Sequence, residues 1–494
     1  MRPPPRDALL VGLAAALLHA RTVAFGFVGL DDRDLIVDDQ PFLSQTSSLW
    51  RAFGRAYMSV VDVGHAYYRP LVTASYALDA RWSGAHAAGY HATNVVLHAA
   101  TCVLVWALLR RLSLGREGAL VGSLLFAVHP VLSSTVAWIP GRNDLLLAVL
   151  VVGSWLAFLH ERRVLHLLLF ALALLTKETA VALPAVCVAH ALLLEPDLRR
   201  PRVLGLHAAG WLLLICARLA LHPAGSRLAT ASLDQLPQLA AGLGKLVLYL
   251  RPTAVAVAAD SPVWPGLAGA AGLAVASVAL TGIRRRVMAL GAIVVVAFLL
   301  PPVLLTGTLV LDQRLYLPAV GVVLMVAEIV RALAPERRVL GAFAGAALVS
   351  LGLFTCAFEG AYRDRRSFAR EAVSGSPRSA LAHLCLGQSD QLDGDDDGAL
   401  AEYRTALSLG PAEVAHNNIA VIDMKRGLWA SADGELREEL ALDPRYARAW
   451  HNLGIVLRHE QRVTEACEAV TTAASLAPGD EAIEGERMRD CAPP

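Results

Sequence analysis

The sequence predicts an all-α chain in two parts, a polytopic bundle of membrane helices followed by a C-terminal solenoid of helical hairpins. Three observations predict it. Apolar residues make up 55% of the 494 residues and mean hydropathy is +0.50, above the roughly 45–50% of soluble domains. The excess is gathered into long runs that stop near residue 358. Beyond them Pro377, Pro411, Pro444 and Pro478 recur every 33–34 residues, the spacing of a stacked repeat.

The first apolar run follows MRPPPR and has no convincing small-residue cleavage site, so it reads as a retained span rather than a signal peptide. Runs near twenty residues match a hydrocarbon core of about 30 Å. They fall near 8–28, 89–109, 118–137, 143–160, 163–177, 178–194, 203–221, 263–281, 287–305, 315–333 and 338–357. The stretch 236–250 is interrupted by Lys245 and is expected to be re-entrant or interfacial. Basic loops set the orientation. Arg110, Arg111 and Arg116, then Arg162 and Arg163, Arg199, Arg200 and Arg202, Arg284 to Arg286, and Arg331, Arg337 and Arg338 all reach one face if eleven spans cross. The N-terminus is then cytoplasmic, and the loop after the first span shares the outer side with the C-terminal part. Arg363, Arg365, Arg366 and Arg370 break this pattern, which leaves twelve spans open.

The predicted membrane domain covers 1–360, with a long outer loop at 29–88. Within it SLWRAFGRAY (48–57) mixes basic and apolar residues as a membrane-surface segment does. The repeat domain covers 377–484. Its last unit places Trp450, Leu453, Gly454, Leu457, Ala466, Val470, Ala473 and Pro478 on the tetratricopeptide (TPR) pattern. The first unit matches at Leu386, Gly387, Ala399, Tyr403 and Ala406. The middle one matches only at Ile419, Ala420 and Ala432. A net charge of +1 without a basic stripe argues against nucleic acid as a partner. The seven cysteines contain no CxxC pair and suggest neither a metal site nor a disulfide framework.

The chemistry-bearing residues cluster at the outer ends of the spans. FGFVGLDDRDLIVDDQPF (25–42) sets Asp31 beside Asp32 just past the first span, where a carboxylate is tolerated. YHATNVVLH puts His91, Asn94 and His98 on one helical face. His129 lies within a span, with Arg142 and Asp144 at its outer end; Lys177 and Glu178, and Asp312 and Arg314, mark two more outer ends. A Lys–Glu neighbour pair neutralises itself, buried histidines bond between helices, and edge arginines snorkel. Taken together, though, acids and cations in one cavity suit group transfer. Cations stabilise a phosphate leaving group, and a carboxylate takes the proton of an attacking hydroxyl.

These blocks resemble the transmembrane-and-TPR O-mannosyltransferases, relatives of the protein O-mannosyltransferases within the GT-C glycosyltransferases. The resemblance is carried by FVGLDDRDLIVDDQPF, YYRPL, YHATNVVLH, HPVLSSTVAWIPGRNDLL, LLTKETA and RLYLP in that order, with TPR units after the last span. It implies a GT-C-like fold and inverting transfer of a sugar, mannose first, from a polyprenyl-phosphate donor to a hydroxyl acceptor on the outer face. It implies Asp31 as base with Asp32 assisting. Arg69, Arg142, Lys177 and Arg314 become donor-phosphate candidates. His65, Tyr68, His91, Asn94, His129, Glu178 and Tyr316 become cavity-lining residues. The lipid-linked sugar is a co-substrate, no covalently bound cofactor or protein metal site is expected, and a divalent ion is left open. The expected partners are membrane lipid, an acceptor protein or glycan, and a polypeptide held by the TPR units. Ser134 and Gln313 stand where the family often has acids, which puts acceptor and sugar preference in doubt. Alanine- and arginine-rich usage suggests a bacterial-type member in an inner membrane. The competing expectation is a catalytically inactive membrane-anchored TPR scaffold. A transporter ranks third because no inverted repeat is apparent.

Overall fold

The computed structural model describes residues 6–57, 67–221, 237–248, 251–305, 312–333, 337–477 and 480–491. The chain divides into two compact units, Met1–Phe368 and Ala369–Pro494. Among the described residues there is no β-strand, only an isolated antiparallel bridge between Tyr57 and Tyr67.

The first unit runs α1 (Arg6–His19), α2 (Pro70–Ser83), α3 (Ala87–Arg111), α4 (Gly115–Val128), α5 (Pro130–Ala137), α6 (Arg142–Leu159), α7 (Arg163–Leu174), α8 (Leu183–Leu193), α9 (Pro201–Ala220), α10 (Pro237–Val247), α11 (Trp264–Ala279), α12 (Arg285–Leu305), α13 (Tyr316–Leu333) and α14 (Arg337–Glu359). Among the described residues, six stretches are long and apolar enough to cross a membrane: Arg6–Ala24, Ala87–Arg111, Ile139–Leu159, Pro201–Ala220, Asp312–Leu333 and Gly341–Tyr362. The pair α4 and α5, bent by 56°, makes a seventh. Arg163–Leu174, Glu178–Leu193 and Trp264–Ala279 are apolar but shorter. With α12, every apolar run read from the sequence therefore falls on a helix or a broken helix.

The break between α4 and α5 has a local cause. His129 precedes Pro130, and the proline ring drives the residue before it out of the helical region. His129 is extended, at φ −69° and ψ 120°, and its Nδ1 accepts from the backbone N–H of Val131 to cap the second half. Helix α12 meets α13 at Gly291 and Gly321, where a Cβ on Gly321 would sit 2.4 Å from the Gly291 carbonyl oxygen. Small residues let membrane helices approach this closely.

The basic loops gather at one end of the bundle. Arg111 bonds Glu195 at 2.7 Å and the Leu159 carbonyl at 3.1 Å. Arg284 reaches the Leu112 carbonyl at 2.9 Å and Glu328 at 2.7 Å, and Arg331 joins Glu328. Asp31, Arg69, Asp144, Lys177 and Asp312 sit at or near the opposite helix ends.

The second unit stacks α15 (Ala380–Leu392) on α16 (Asp396–Leu409), α17 (Ala415–Lys425) on α18 (Trp429–Leu442), and α19 (Ala447–His459) on α20 (Val463–Leu476), closed by α21 (Glu481–Asp490). The middle hairpin, weakest in sequence, still packs, because Leu436 and Leu440 fill the space beside Ala420 and Ala432. Cys467 and Cys491 form a disulfide with Cα atoms 5.1 Å apart, fastening α20 to the end of α21. The spacing of single cysteines gave no sign of this pair.

In the last hairpin a Cβ on Gly454 would stand 2.3 Å from Val470 Cγ2. Gly454→Val is expected to destabilise that hairpin by about 1–3 kcal/mol. Hydrogen exchange over residues 447–476 of the full chain checks it, and unchanged protection would contradict the packing.

Candidate active site

The loop after α1 turns sharply. Gly29 and Leu30 both take positive φ, 89° and 49°, a region costly for leucine. The turn throws Asp31 and Asp32 to the start of a helical segment whose Arg33–Val37 portion is wound as a wide π-turn, a form often found at functional sites. Asp32 is buried, and its Oδ2 accepts from the Val28 N–H at 2.8 Å. Asp31 is half-buried. Burial, then the Asp34 charge, pushes Asp31 up to about 6, with Arg69 pulling the other way. Burial raises Asp32 well above the usual carboxylate range, and the Asp31 charge adds to it. The two neighbours therefore part in character. Asp31 is raised to about 6 and feels Arg69, whereas Asp32, more deeply buried, is raised well above the usual range.

Facing Asp31 is a group of paired cations. Arg69, just before α2, makes a two-pronged pair with Glu178 at 3.3 and 3.0 Å, and its guanidinium lies over the Tyr57 and Tyr67 rings at 5.3 and 4.5 Å. Lys177, at the turn between α7 and α8, bonds both oxygens of Asp144 at 2.7 and 2.8 Å. Arg314 is close enough for its charge to act on Asp144, Arg69 and Glu178. Arg218 of α9 joins them; it donates to the Tyr68 and Leu174 carbonyls at 2.8 and 3.0 Å and lies 4.9 Å over the Tyr68 ring. Four cations, Arg69, Lys177, Arg314 and Arg218, thus gather with the carboxylates of Glu178, Asp144 and Asp31. Three of them, Arg69, Lys177 and Arg314, are sequence candidates. Arg218 was overlooked, although a charge inside the apolar run LLLICARLA is itself a functional signal.

Arg142 is the correction. Its side chain is fully buried and every part of the guanidinium is engaged: Nη1 pairs with Asp79, Nε donates to Asn94 at 2.9 Å, and Nη2 donates to the Tyr90 carbonyl at 2.6 Å. It locks α2, α3 and α6 together and has no hand free for a donor phosphate. Asp144, two residues further on, pairs with Lys177. Asn94 is likewise structural, donating to the carbonyls of Val136, Trp138 and Ile139. His129 bonds the Leu246 carbonyl at 3.0 Å, and Tyr316 is fully buried and bonds His98 at 2.6 Å. These three build the core rather than line a cavity. Tyr68 is buried and donates to the Phe53 carbonyl. His91 is buried beneath the acidic loop, 3.4 Å from the Gly26 carbonyl. His65 lies outside the described residues. A surface cavity of about 930 Å³ lies along the outer loop, lined by Asp38, Asp39, Phe42, Trp50, Arg51 and Arg55 among others. Among the described residues no group of three or more His, Cys, Asp or Glu side chains is arranged to hold a metal ion.

No family model matches the chain. Individual proteins do. The chain is 33% identical over 172 residues to the protein O-mannosyl-transferase TMTC4 of Homo sapiens, covering 32% of this chain and 23% of that protein. It is similar to protein O-mannosyl-transferases. It is 34% identical over 194 residues to Tmtc1 of Drosophila melanogaster, covering 36% and 22%, and 32% identical over 207 residues to TMTC1 of Mus musculus, covering 37% and 21%. Each alignment spans less than a quarter of the relative's length. All three are animal proteins and lend no support to a bacterial-type member. Among solved structures, the APC/C hetero-tetramer Cut9–Hcn1 aligns over 86% of this chain and 93% of that one, at 12% identity and a TM-score of 0.25, too low to bear on the fold or the site.

Removing one partner of a buried ion pair typically costs about 3–5 kcal/mol. Arg142→Met is therefore expected to lower thermal stability in detergent sharply, and adding Asp79→Asn is expected to recover part of the loss. A melting temperature left unchanged by Arg142→Met would return Arg142 to the donor-binding candidates.

Proposed function

We propose that the protein is a membrane glycosyltransferase of GT-C type that moves a sugar, mannose first, from a polyprenyl-phosphate donor to a hydroxyl of an acceptor protein on the outer membrane face. One observation carries the reading. An aspartate with its proton affinity raised to about 6 lies within electrostatic reach of Arg69, which stands in a group with Lys177, Arg314 and Arg218. The similarity to protein O-mannosyl-transferases supports the same chemistry.

The step follows from that arrangement. The acceptor hydroxyl oxygen attacks the anomeric carbon while its proton passes to the Asp31 carboxylate. The bond from the anomeric carbon to the phosphate oxygen breaks, and polyprenyl phosphate leaves with the bonding pair. Arg69, Lys177 and Arg314 offset the charge that grows on the departing phosphate. Attack from the side opposite the phosphate inverts the anomeric centre. A base of pKa about 6 is mostly charged at neutral pH yet basic enough to accept a proton in the transition state.

The outer-face placement is supported by two features. The basic loops share one end of the bundle, which the positive-inside rule assigns to the cytoplasm. The Cys467–Cys491 disulfide fits an oxidising compartment. The alanine- and arginine-rich composition supports a bacterial inner membrane with the TPR unit, a holder for the acceptor or a partner, on its periplasmic side.

Asp31→Asn is expected to lower transfer at least about a hundredfold while the protein stays folded, and wild-type transfer is expected to rise as pH climbs through about 6 and to level off above it. Asp31→Asn with wild-type activity would point to an inactive scaffold or a different base. In intact cells, an impermeant thiol reagent added after mild reduction is expected to label Cys467 and Cys491. Labelling only once the cytoplasmic side is opened would reverse the orientation.

A further inference from the structure

We propose that Asp32, Tyr76 and Asn143 form a subsite that reads the hydroxyls of a sugar ring held beside Asp31. The inference rests on the lipid-linked donor proposed above and goes beyond it by naming the groups that meet the sugar.

Among the described residues, three buried polar atoms on three separate elements lack a well-formed hydrogen bond, although the Tyr76 hydroxyl stands within reach of the Tyr57 hydroxyl. They are Asp32 Oδ1 on the acidic loop, the Tyr76 hydroxyl on α2 and Asn143 Oδ1 on α6. Asp32 and Tyr76 are 1% exposed and Asn143 is 7% exposed. They share one neighbourhood. Asn143 Nδ2 donates to the Tyr57 hydroxyl at 3.0 Å. Tyr57 and Tyr76 pack in the same cluster, and Tyr76 lies within electrostatic reach of Tyr57 and Asp32. The Asp31 charge also reaches Tyr57. Leaving a buried polar group unpaired costs about 1–3 kcal/mol, and native proteins rarely leave several together. A ligand that pairs all three recovers that cost on binding.

The chemistry of the three atoms selects the ligand. Asn143 Oδ1 only accepts, so the ligand must donate. The Tyr76 hydroxyl donates and accepts, and Asp32 Oδ1 accepts as Asn143 Oδ1 does. One serine or threonine hydroxyl carries a single proton and cannot serve three atoms on three elements. A sugar ring carries several hydroxyls on a rigid frame. A metal cation is opposed by the Arg142 guanidinium 4.9 Å over the Tyr76 ring and by Arg69 over Tyr57. The rings of Tyr57, Tyr76 and Tyr90, the last two 6.2 Å apart, supply an apolar wall for the face of the ring.

The test measures binding to the full-length protein in detergent, using polyprenyl-phosphate mannose, polyprenyl-phosphate glucose and bare polyprenyl phosphate. Wild type is expected to bind one glycosylated lipid about tenfold or more tightly than the bare one. Tyr76→Phe and Asn143→Leu are expected to bring that ratio close to one while leaving affinity for the bare lipid in place. Tyr76→Phe removes a hydroxyl that, among the described residues, reaches only the Tyr57 hydroxyl, so the variant is expected to stay folded. Variants that keep the ratio, or a wild type that binds glycosylated and bare lipid equally, would overturn the subsite and leave the donor-phosphate reading standing. A wild type that binds none of the three lipids would overturn the donor reading and the subsite with it.

Discussion

The site depends on holding charge where hydrocarbon meets water without leaving any of it unpaired. A lone ion there is expensive. The chain meets the cost by bringing Lys177 onto Asp144 and Arg69 onto Glu178 across distant stretches of sequence. The pairs fix where the outer ends of α2, α6, α7 and α8 stand relative to one another. They also gather cations in a dry place, where an anion is bound far more strongly than in water. Structural support and anion affinity thus come from the same side chains.

Asp31 and Asp32 show how position divides two identical residues. Asp32 points into the protein, bonds the Val28 backbone and is buried. Asp31 is only half-buried and feels Arg69. The turn at Gly29 and Leu30 sets this difference, since a one-residue shift along the helical start would exchange the two environments. Val28, Leu35 and Ile36, on either side of the turn, are buried.

Much of this could be read from residue order. The apolar runs gave the helices and the proline period gave the repeats; Asp31, Lys177 and Arg314 were candidates as charges at run ends, and Arg69 through the YYRPL block. What escaped was pairing. Sequence shows that Arg142 and Asp144 are near neighbours. It does not show that successive residues on a helix face different ways, so that Arg142 turns inward to Asp79 and Asp144 turns to Lys177. Histidines near the span ends read as a cavity wall, but His98 bonds Tyr316 and the Ala127 carbonyl near the end of α4, and His129 bonds the Leu246 carbonyl near the end of α10. Tyr57, Tyr76 and Asn143 carry no charge and no motif, so only their convergence in space marks them.

The most direct measurement is an experimental structure of the protein with a non-hydrolysable polyprenyl-phosphonate sugar. The phosphonate is predicted to sit among Arg69, Lys177 and Arg314, with the anomeric carbon turned toward the Asp31 carboxylate. A phosphonate bound at the end of the bundle that carries Arg111 and Arg284, or one seated with its sugar directed away from Asp31, would contradict the proposed chemistry.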